Sequence, residues 1–285
     1  MDGALLIGES GSTKCEWRWC APGAEAQPFR SAGLNPNILP EAAIDAAIRG
    51  LAAQLPGLPG QIRFYGSGIS GPPQAEVLIR ALAGAFPGAE ARVHTDLLAA
   101  ARATLRSEGL VLILGTGSNA CRHAGGEVTV RRGGHGYLFG DEGSGADLGK
   151  AWLSALLYGE LPADLADATE AFTGMPLLVF RGAVYRDARP NVRLASLAPL
   201  ICGQLARAEV RALVQARMRL LVQRCVLPLA AGPGEPADIV GSVGHYFRGA
   251  VSEALEAAGV RAGQSIPVPA DALVQYHRLP GNQDR

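Results

Sequence analysis

Leu110-Val-Leu-Ile-Leu-Gly-Thr-Gly-Ser-Asn119 constrains this chain more than any other stretch, because an unbroken apolar run passes directly into a loop of glycines and hydroxyls. The run is too short for a helix and reads as a strand buried on both faces. Gly115 and Gly117 let the backbone approach a ligand closely, while Thr116, Ser118 and Asn119 add donors suited to phosphate or sugar oxygens. The plain alternative is a tight turn, since Cys121-Arg-His and Glu127-Val-Thr-Val-Arg131 flank Gly125-Gly126 as the arms of a hairpin would. The sequel, Gly140-Asp-Glu-Gly-Ser144, leads into a helix through Leu157 with Ser144 as its N-cap. Two adjacent acids between glycines are more than a cap requires.

At 285 residues the chain has room for about two domains. With 48% hydrophobic residues and a formal net charge of zero, neither disorder nor electrostatic capture of nucleic acid is indicated. The first residues, Met1-Asp-Gly-Ala-Leu-Leu-Ile-Gly, are acidic where a signal peptide is basic, and their apolar run is too short to span a membrane. The expectation is a soluble, cytoplasmic protein with no membrane partner. Cys15, Cys20, Cys121, Cys202 and Cys225 form no C-x-x-C and no paired framework, which favours reduced thiols over disulfides, zinc or an iron–sulfur cluster. Only Lys14 and Lys150 are lysines among 26 basic residues, and both lie in or near the glycine-rich motifs. Lysine is the compact point charge for a phosphate.

In chain order, Ala4–Ile7 is a strand, Gly8-Glu-Ser-Gly-Ser-Thr-Lys14 a loaded turn and Cys15–Trp19 an alternating second strand. Gly11 frees the backbone, Ser10, Ser12 and Thr13 supply hydroxyls, Lys14 supplies a cation, and Glu9 could hold Mg²⁺ through its waters. No G-K-[ST] occurs and a strand follows, so this is not a Walker A loop. Ser31–Asn37 is turn-forming, with Asn35 and Asn37 either ligands or turn residues, before a helix over Ile44–Leu55. The strand Gln61–Tyr65 ends in Gly66-Ser-Gly-Ile-Ser-Gly71, a literal dinucleotide fingerprint. Pro72-Pro73 place the helix start after that motif, against the nicotinamide reading. A helix over Gln74–Phe86 and a strand over Ala91–Thr95 lead to Asp96, which opens a helix over Leu97–Arg106. Asp96 is either an N-cap or a catalytic base at the mouth of a parallel sheet. Residues 163–229 read as mostly helical, and Arg207, Arg211, Arg217, Arg219 and Arg224 as a solvated face. Asp238–Val240 is a strand, Gly241–Gly244 a turn able to hold an adenine, and Tyr246–Ala258 a helix. Residues 267–276 carry too few signals to place.

The order and spacing of Glu9–Lys14, Gly115–Asn119, Gly140–Ser144 and Val240-Gly-Ser-Val243 resemble the superfamily of sugar kinases, heat-shock chaperone ATPases and actin. Within it the chain is most similar to the N-acetylglucosamine kinase and BadF/BadG/BcrA/BcrD-type ATPase family. The resemblance implies an α/β protein of two ribonuclease H-like (actin-like ATPase) domains, residues 1–108 and 109–285, with an active-site cleft between them and the last residues free to pack back on the first. It implies a kinase using ATP and Mg²⁺ on N-acetylglucosamine or N-acetylmuramic acid, and a homodimer. Glu9–Lys14 match the first phosphate loop, Gly115–Ser118 the second, and Gly241 and Ser242 the adenosine turn. Asp96 matches the base, and Asn35 or Asn37, Ser70, Asn119 and Asp141 fall near the sugar contacts. Glu9 departs from the Asp that many members carry there. An acyl-CoA dehydratase activator and a non-catalytic sugar sensor are rival members of the superfamily. The first needs cluster-holding cysteines in a glycine-rich context, the second lacks the base.

Overall fold

The computed structural model describes residues 3–282. The chain divides into two compact units, the first taking residues up to Ser107, the piece Ala124–Val128 and residues from Val268 on, the second Glu108–His123 and Thr129–Pro267.

In the first unit β1 (Leu5–Ser10), β2 (Lys14–Cys20), β3 (Gln27–Ala32), β4 (Gln61–Gly66) and β5 (Glu90–Thr95) form one sheet in the order β3-β2-β1-β4-β5. β1 runs antiparallel to β2 and parallel to β4, and β4 parallel to β5. Successive side chains of a strand point to opposite faces, and here both faces are covered. Leu6, Ile62 and Phe64 pack with Ile44, Ile48 and Leu51 of α1 (Glu41–Ala52) and Leu78 and Leu82 of α2 (Pro72–Ala85). Ile7 and Tyr65 face Leu98 and Ala99 of α3 (Asp96–Ala103) and Leu273 and Val274 of α13 (Pro269–Arg278). Gly8 is required by its neighbour, for a Cβ there would lie 2.4 Å from the buried Trp17 ring.

The second unit holds β6 (Glu108–Leu114), β7 (Ser118–Ala124), β8 (Glu127–Gly133), β9 (Pro236–Val240) and β10 (Arg261–Ile266) in the order β10-β9-β6-β7-β8. The apolar run is the central strand of that sheet, with Leu110, Val111, Leu112 and Leu114 buried as expected. Gly125 and Gly126, at φ +60° and +79°, make the tight turn between β7 and β8. The helices are α4 (Gly136–Phe139), α5 (Gly145–Leu157), α6 (Ala163–Thr173), α7 (Leu177–Arg186), α8 (Pro190–Ala195), α9 (Ala198–Gly203), α10 (Ala208–Leu221) with a π-helical turn Val222–Val226, α11 (Ser242–Tyr246) and α12 (Arg248–Ala257). Their core gathers around Trp152, Leu148, Val214 and Val251. Among the described residues no helix is long and apolar enough to cross a membrane.

Four sequence expectations need correction. β3 takes in Ser31 and Ala32, assigned to a turn, and β10 has no counterpart in the sequence reading. Both are edge strands, and no residue of either is buried. The helix over Tyr246–Ala258 is two helices, divided at the buried Phe247, and the turn before them shrinks to Gly241. The arginines of 207–224 are not all a solvated face. Arg217 binds the buried Asp147 through two 2.7 Å contacts, and Arg224 binds Glu142 at 2.6 Å. By contrast α2 begins at Pro72 with Gly71 as its N-cap residue, after the G-x-G-x-x-G motif as the prolines require.

A buried polar cluster joins α13, α3, β4 and the hairpin tip within the first unit. Arg102 donates to Tyr65 Oη (2.8 Å) and Gly126 O (3.2 Å) and pairs with Glu127 (3.1 Å). Tyr65 Oη also meets His277 Nε2 at 2.9 Å, and the His94 ring lies 5.1 Å from that of Tyr65 with its buried Nε2 lacking a hydrogen-bond partner. Burial, then the charge of Arg102, pushes His94 down to about 4, and burial pushes His277 down to about 4. An unfolded histidine titrates near 6.5, so between about pH 6.5 and 4 the unfolded chain takes up protons that the folded chain refuses. Stability is therefore full above the upper limit and falls as the medium is acidified through that window. His94→Phe, which keeps the ring and removes the titration, should lower the acid slope by about one proton and regain on the order of 1–3 kcal/mol near pH 5. Urea unfolding of both proteins at several pH values measures this, and parallel pH curves would refute it.

Candidate functional site

In the first unit the candidate residues follow the carboxyl ends of three strands. Ser10 of β1 is paired with Gly66 of β4, and Gly66 with Thr95 of β5, so Gly11, Ser67 and Asp96 come next at the same edge. The loop after β1 is closed by Gly11 N–H donating to Lys14 O at 3.0 Å. Ser10 is buried and its hydroxyl serves the protein itself, accepting from Leu34 N at 2.8 Å and donating to Gly11 O at 3.2 Å. Thr13 is exposed and Ser12 half-buried in the turn, and Lys14 Nζ is held 2.9 Å from Glu16. Burial of Glu16 would raise its pKa, yet hydrogen bonds from Lys14 and Arg30 outweigh that and hold the carboxyl below the usual range.

Asn35 and Asn37 meet the glycine motif after β4. Asn35 Oδ1 accepts from Asn37 N (2.9 Å), and Asn37 Nδ2 donates to Gly68 O (2.8 Å). Gly68 sits at φ +80°, where any Cβ would lie 2.0 Å from Asn35 Oδ1, so the glycine that imitates a dinucleotide fingerprint makes room for an asparagine. Ser70 is exposed. Ser67, passed over in the sequence, has a buried Oγ without a hydrogen-bond partner, and its N–H donates to Ser10 O at 2.9 Å. Its position just beyond β4, like Asp96 beyond β5, was the available signal.

Asp96 is the first residue of α3 and not its cap, which is Thr95, whose Oγ1 accepts from Leu98 N at 3.1 Å. Asp96 Oδ1 accepts from Leu97 N at 2.8 Å. Burial, then the charge of Asp96, pushes the half-buried Glu9 carboxyl up to about 7. Two carboxylates thus share the edge of this sheet beside a glycine and hydroxyl loop.

The second unit repeats the pattern. The loop after β6 is closed by Gly115 N–H donating to Gly117 O at 3.0 Å, and the start of α5 grips it through Gly145 N to Gly115 O (2.9 Å) and Ala146 N to Thr116 O (3.1 Å). Ser118 Oγ donates to Glu142 O at 2.8 Å. The Asp141 carboxylate accepts from the backbone of Ser118 and Gly136, and burial exceeds those bonds in raising its pKa. A Cβ on Gly117 would lie 2.8 Å from Asp141 Oδ2. Asn119 Oδ1 accepts from Ala120 N at 3.0 Å. Gly241 follows β9, whose Val240 is paired with Ile113 of β6, and its φ of +108° with a would-be Cβ 2.4 Å from Leu114 O allows only glycine. Ser242 opens α11 on the exposed side. Gly241 and Ser242 are therefore brought to the root of the second loop. Lys150 is turned to Tyr137 O at 3.0 Å.

Protein-family models give no match to this chain, and the curated proteins give none. Among solved structures it is similar to the "putative N-acetylglucosamine kinase" of Porphyromonas gingivalis, with 34% identity, 96% of this chain and 98% of that one covered, and a TM-score of 0.87. A Chromobacterium violaceum protein of the same description is 21% identical over 96% of this chain and 98% of that one, with a TM-score of 0.70. A ROK family glucokinase from Streptomyces griseus, solved with glucose and AMPPNP, is 14% identical over the same shares with a TM-score of 0.52. These last two likenesses show the fold alone.

The raised Glu9 carboxyl has a consequence for stability. Its folded pKa lies above its unfolded value, so its contribution is fully present below about pH 4.5 and is lost as pH rises through 7. Glu9→Gln removes that loss. In buffer free of divalent cations the variant should gain on the order of 1–3 kcal/mol over the wild type on going from pH 5 to pH 8. Thermal melts at the two pH values decide it; an equal difference at both would show that Glu9 does not titrate as described.

Proposed function

Because this chain belongs to the N-acetylglucosamine kinase family, we propose that it transfers the γ-phosphoryl group of ATP to a hydroxyl of N-acetylglucosamine or N-acetylmuramic acid, in amino-sugar or cell-wall salvage. The observation that carries this reading is the Asp96 carboxylate at the end of a parallel strand, with one oxygen fixed by Leu97 N–H, beside the Glu9 whose pKa it raises. Phosphoryl transfer asks for little covalent chemistry from the protein and much positioning. Asp96 accepts the proton of the sugar hydroxyl as that oxygen bonds to the γ-phosphorus in line and the bond to the ADP oxygen breaks. In the first unit we assign sugar contacts to Asn35, Asn37 and Ser70 and phosphate contacts to Gly11–Lys14; in the second unit we assign sugar contacts to Asn119 and Asp141, phosphate contacts to Gly115–Ser118 and the adenosine turn to Gly241 and Ser242.

The donor set suits Mg²⁺. Glu9 lies beside Asp96, and among the described residues no group of three or more His, Cys, Asp or Glu could enclose a metal, which fits a cation held mainly by phosphate oxygens and water. Glu9 would hold it through water. When bound, Mg²⁺ supplies positive charge against the β- and γ-phosphate oxygens. We also place the protein in the cytoplasm as a homodimer, on the family resemblance alone.

Asp96→Asn keeps an acceptor for Leu97 N–H and leaves the Thr95 cap untouched, so unfolding stability should stay within about 1 kcal/mol of the wild type. Its turnover should fall by roughly 10²–10⁴, the range for a positioned base. Coupled ADP release with Mg-ATP over N-acetylglucosamine, N-acetylmuramic acid, glucosamine and glucose tests both parts. Release that none of these sugars stimulates would sink the kinase reading; a variant of near-normal rate would remove Asp96 as base.

A further inference from the structure

We infer that α10 and its π-helical turn set the position of the second loop, with Arg217 and Arg224 as positioning residues for nucleotide binding. This rests on reading Gly115–Ser118 as a phosphate loop. The loop is anchored on one segment, 141–147: Gly115 O and Thr116 O accept from Gly145 N and Ala146 N, and Ser118 Oγ donates to Glu142 O. That segment is in turn fixed by its acids. Asp147 Oδ2 accepts from Gly143 N at 2.9 Å while Asp147 N donates to Ser144 Oγ at 3.2 Å, a reciprocal closure of the turn before α5. Both acids then meet α10 and its π-helical turn. Arg217 holds Asp147 with two contacts of 2.7 Å, and Arg224 holds Glu142 at 2.6 Å.

The arginines are seven residues apart, Arg217 on α10 and Arg224 in its π-helical turn, and both reach the 142–147 segment. Between them Met218 and Leu221 press on Gly143, at φ +70°, where a Cβ would lie 3.1 Å from either side chain. Arg224 itself sits in the π-helical turn, a feature that recurs at functional sites. The two pairs differ in what they can reveal. The Asp147 side chain is 1% exposed, so losing Arg217 leaves a buried charge with only Lys150, 3.8 Å away, and threatens the fold. The Arg224 side chain is 58% exposed and that of Glu142 6%, so Arg224 can be removed while Glu142 gains access to water.

The test is therefore Arg224→Ala beside Arg224→Lys. Calorimetry with AMPPNP and Mg²⁺ in the absence of sugar should show nucleotide bound about 10-fold more weakly by the alanine variant, the low end for a group that orients a binding group. The lysine variant should fall between, and the melting temperature should stay within about 3 °C. In steady state KM for ATP should rise. Wild-type affinity for AMPPNP in Arg224→Ala, or a loss that tracks a fall in melting temperature, would overturn the inference. If no sugar stimulates ADP release while Arg224→Ala still weakens AMPPNP binding, the kinase reading fails and the positioning role stands. A wild type that does not bind AMPPNP ends both.

Discussion

Parallel pairing in register brings Ser10, Gly66 and Thr95 level at one edge of the first sheet, and Ile113 and Val240 level in the second. The residue after each of these strands then lands beside its neighbours whatever the length of chain between them. Gly11, Ser67 and Asp96 become a row in this way, and Gly241 comes against Leu114 O at the root of the second loop. A slip of one residue in any pairing would turn its strand over and send these groups to different faces. The buried alternation of Leu6 with Ile7 and of Phe64 with Tyr65 forbids that slip, since each belongs to a separate apolar layer. The hydrophobic pattern therefore sets this row of strand-end residues as well as the core.

What the chain discloses in its sequence is what acts locally. The five-residue apolar run, the prolines after Gly71 and the Ser144 cap each depend on neighbours within a turn or two, and each is found where those neighbours require. The bonds that fix the second loop are of another kind. Arg217 and Asp147 are 70 residues apart and Arg224 and Glu142 82, so an arginine on an amphipathic helix carries no mark that separates a latch from a solvated charge. Ser10 shows the converse. A hydroxyl in a glycine loop invites a ligand in the sequence, yet its bond with Leu34 N makes it the buttress that holds the next segment against the loop. Ser67 lies inside the Gly66–Gly71 motif but is not one of its glycines, and its place in the row of strand ends is visible only once those ends are aligned.

Glycine has a different task at each of these loops. Gly68 yields to Asn35 Oδ1, Gly117 to Asp141 Oδ2 and Gly241 to Leu114 O, each at a separation no Cβ could share. Two of the three close approaches are to polar side chains of the candidate site. The freedom of φ that makes such loops look interchangeable in sequence is used mainly for space, and the side chain that claims the space is what distinguishes one loop from the next.

The buried acids and Glu9 differ in how their charge is met. Glu16, Glu142 and Asp147 are buried, and each meets one or more cations within 3.1 Å. Glu9 is instead set half-buried beside another carboxylate and raised to about 7, a placement that costs stability at neutral pH and that a structural role does not explain. Such costs are tolerated where charge must be met by a ligand rather than by the protein. Glu9 is in this state at the edge where Asp96 and the first glycine loop converge.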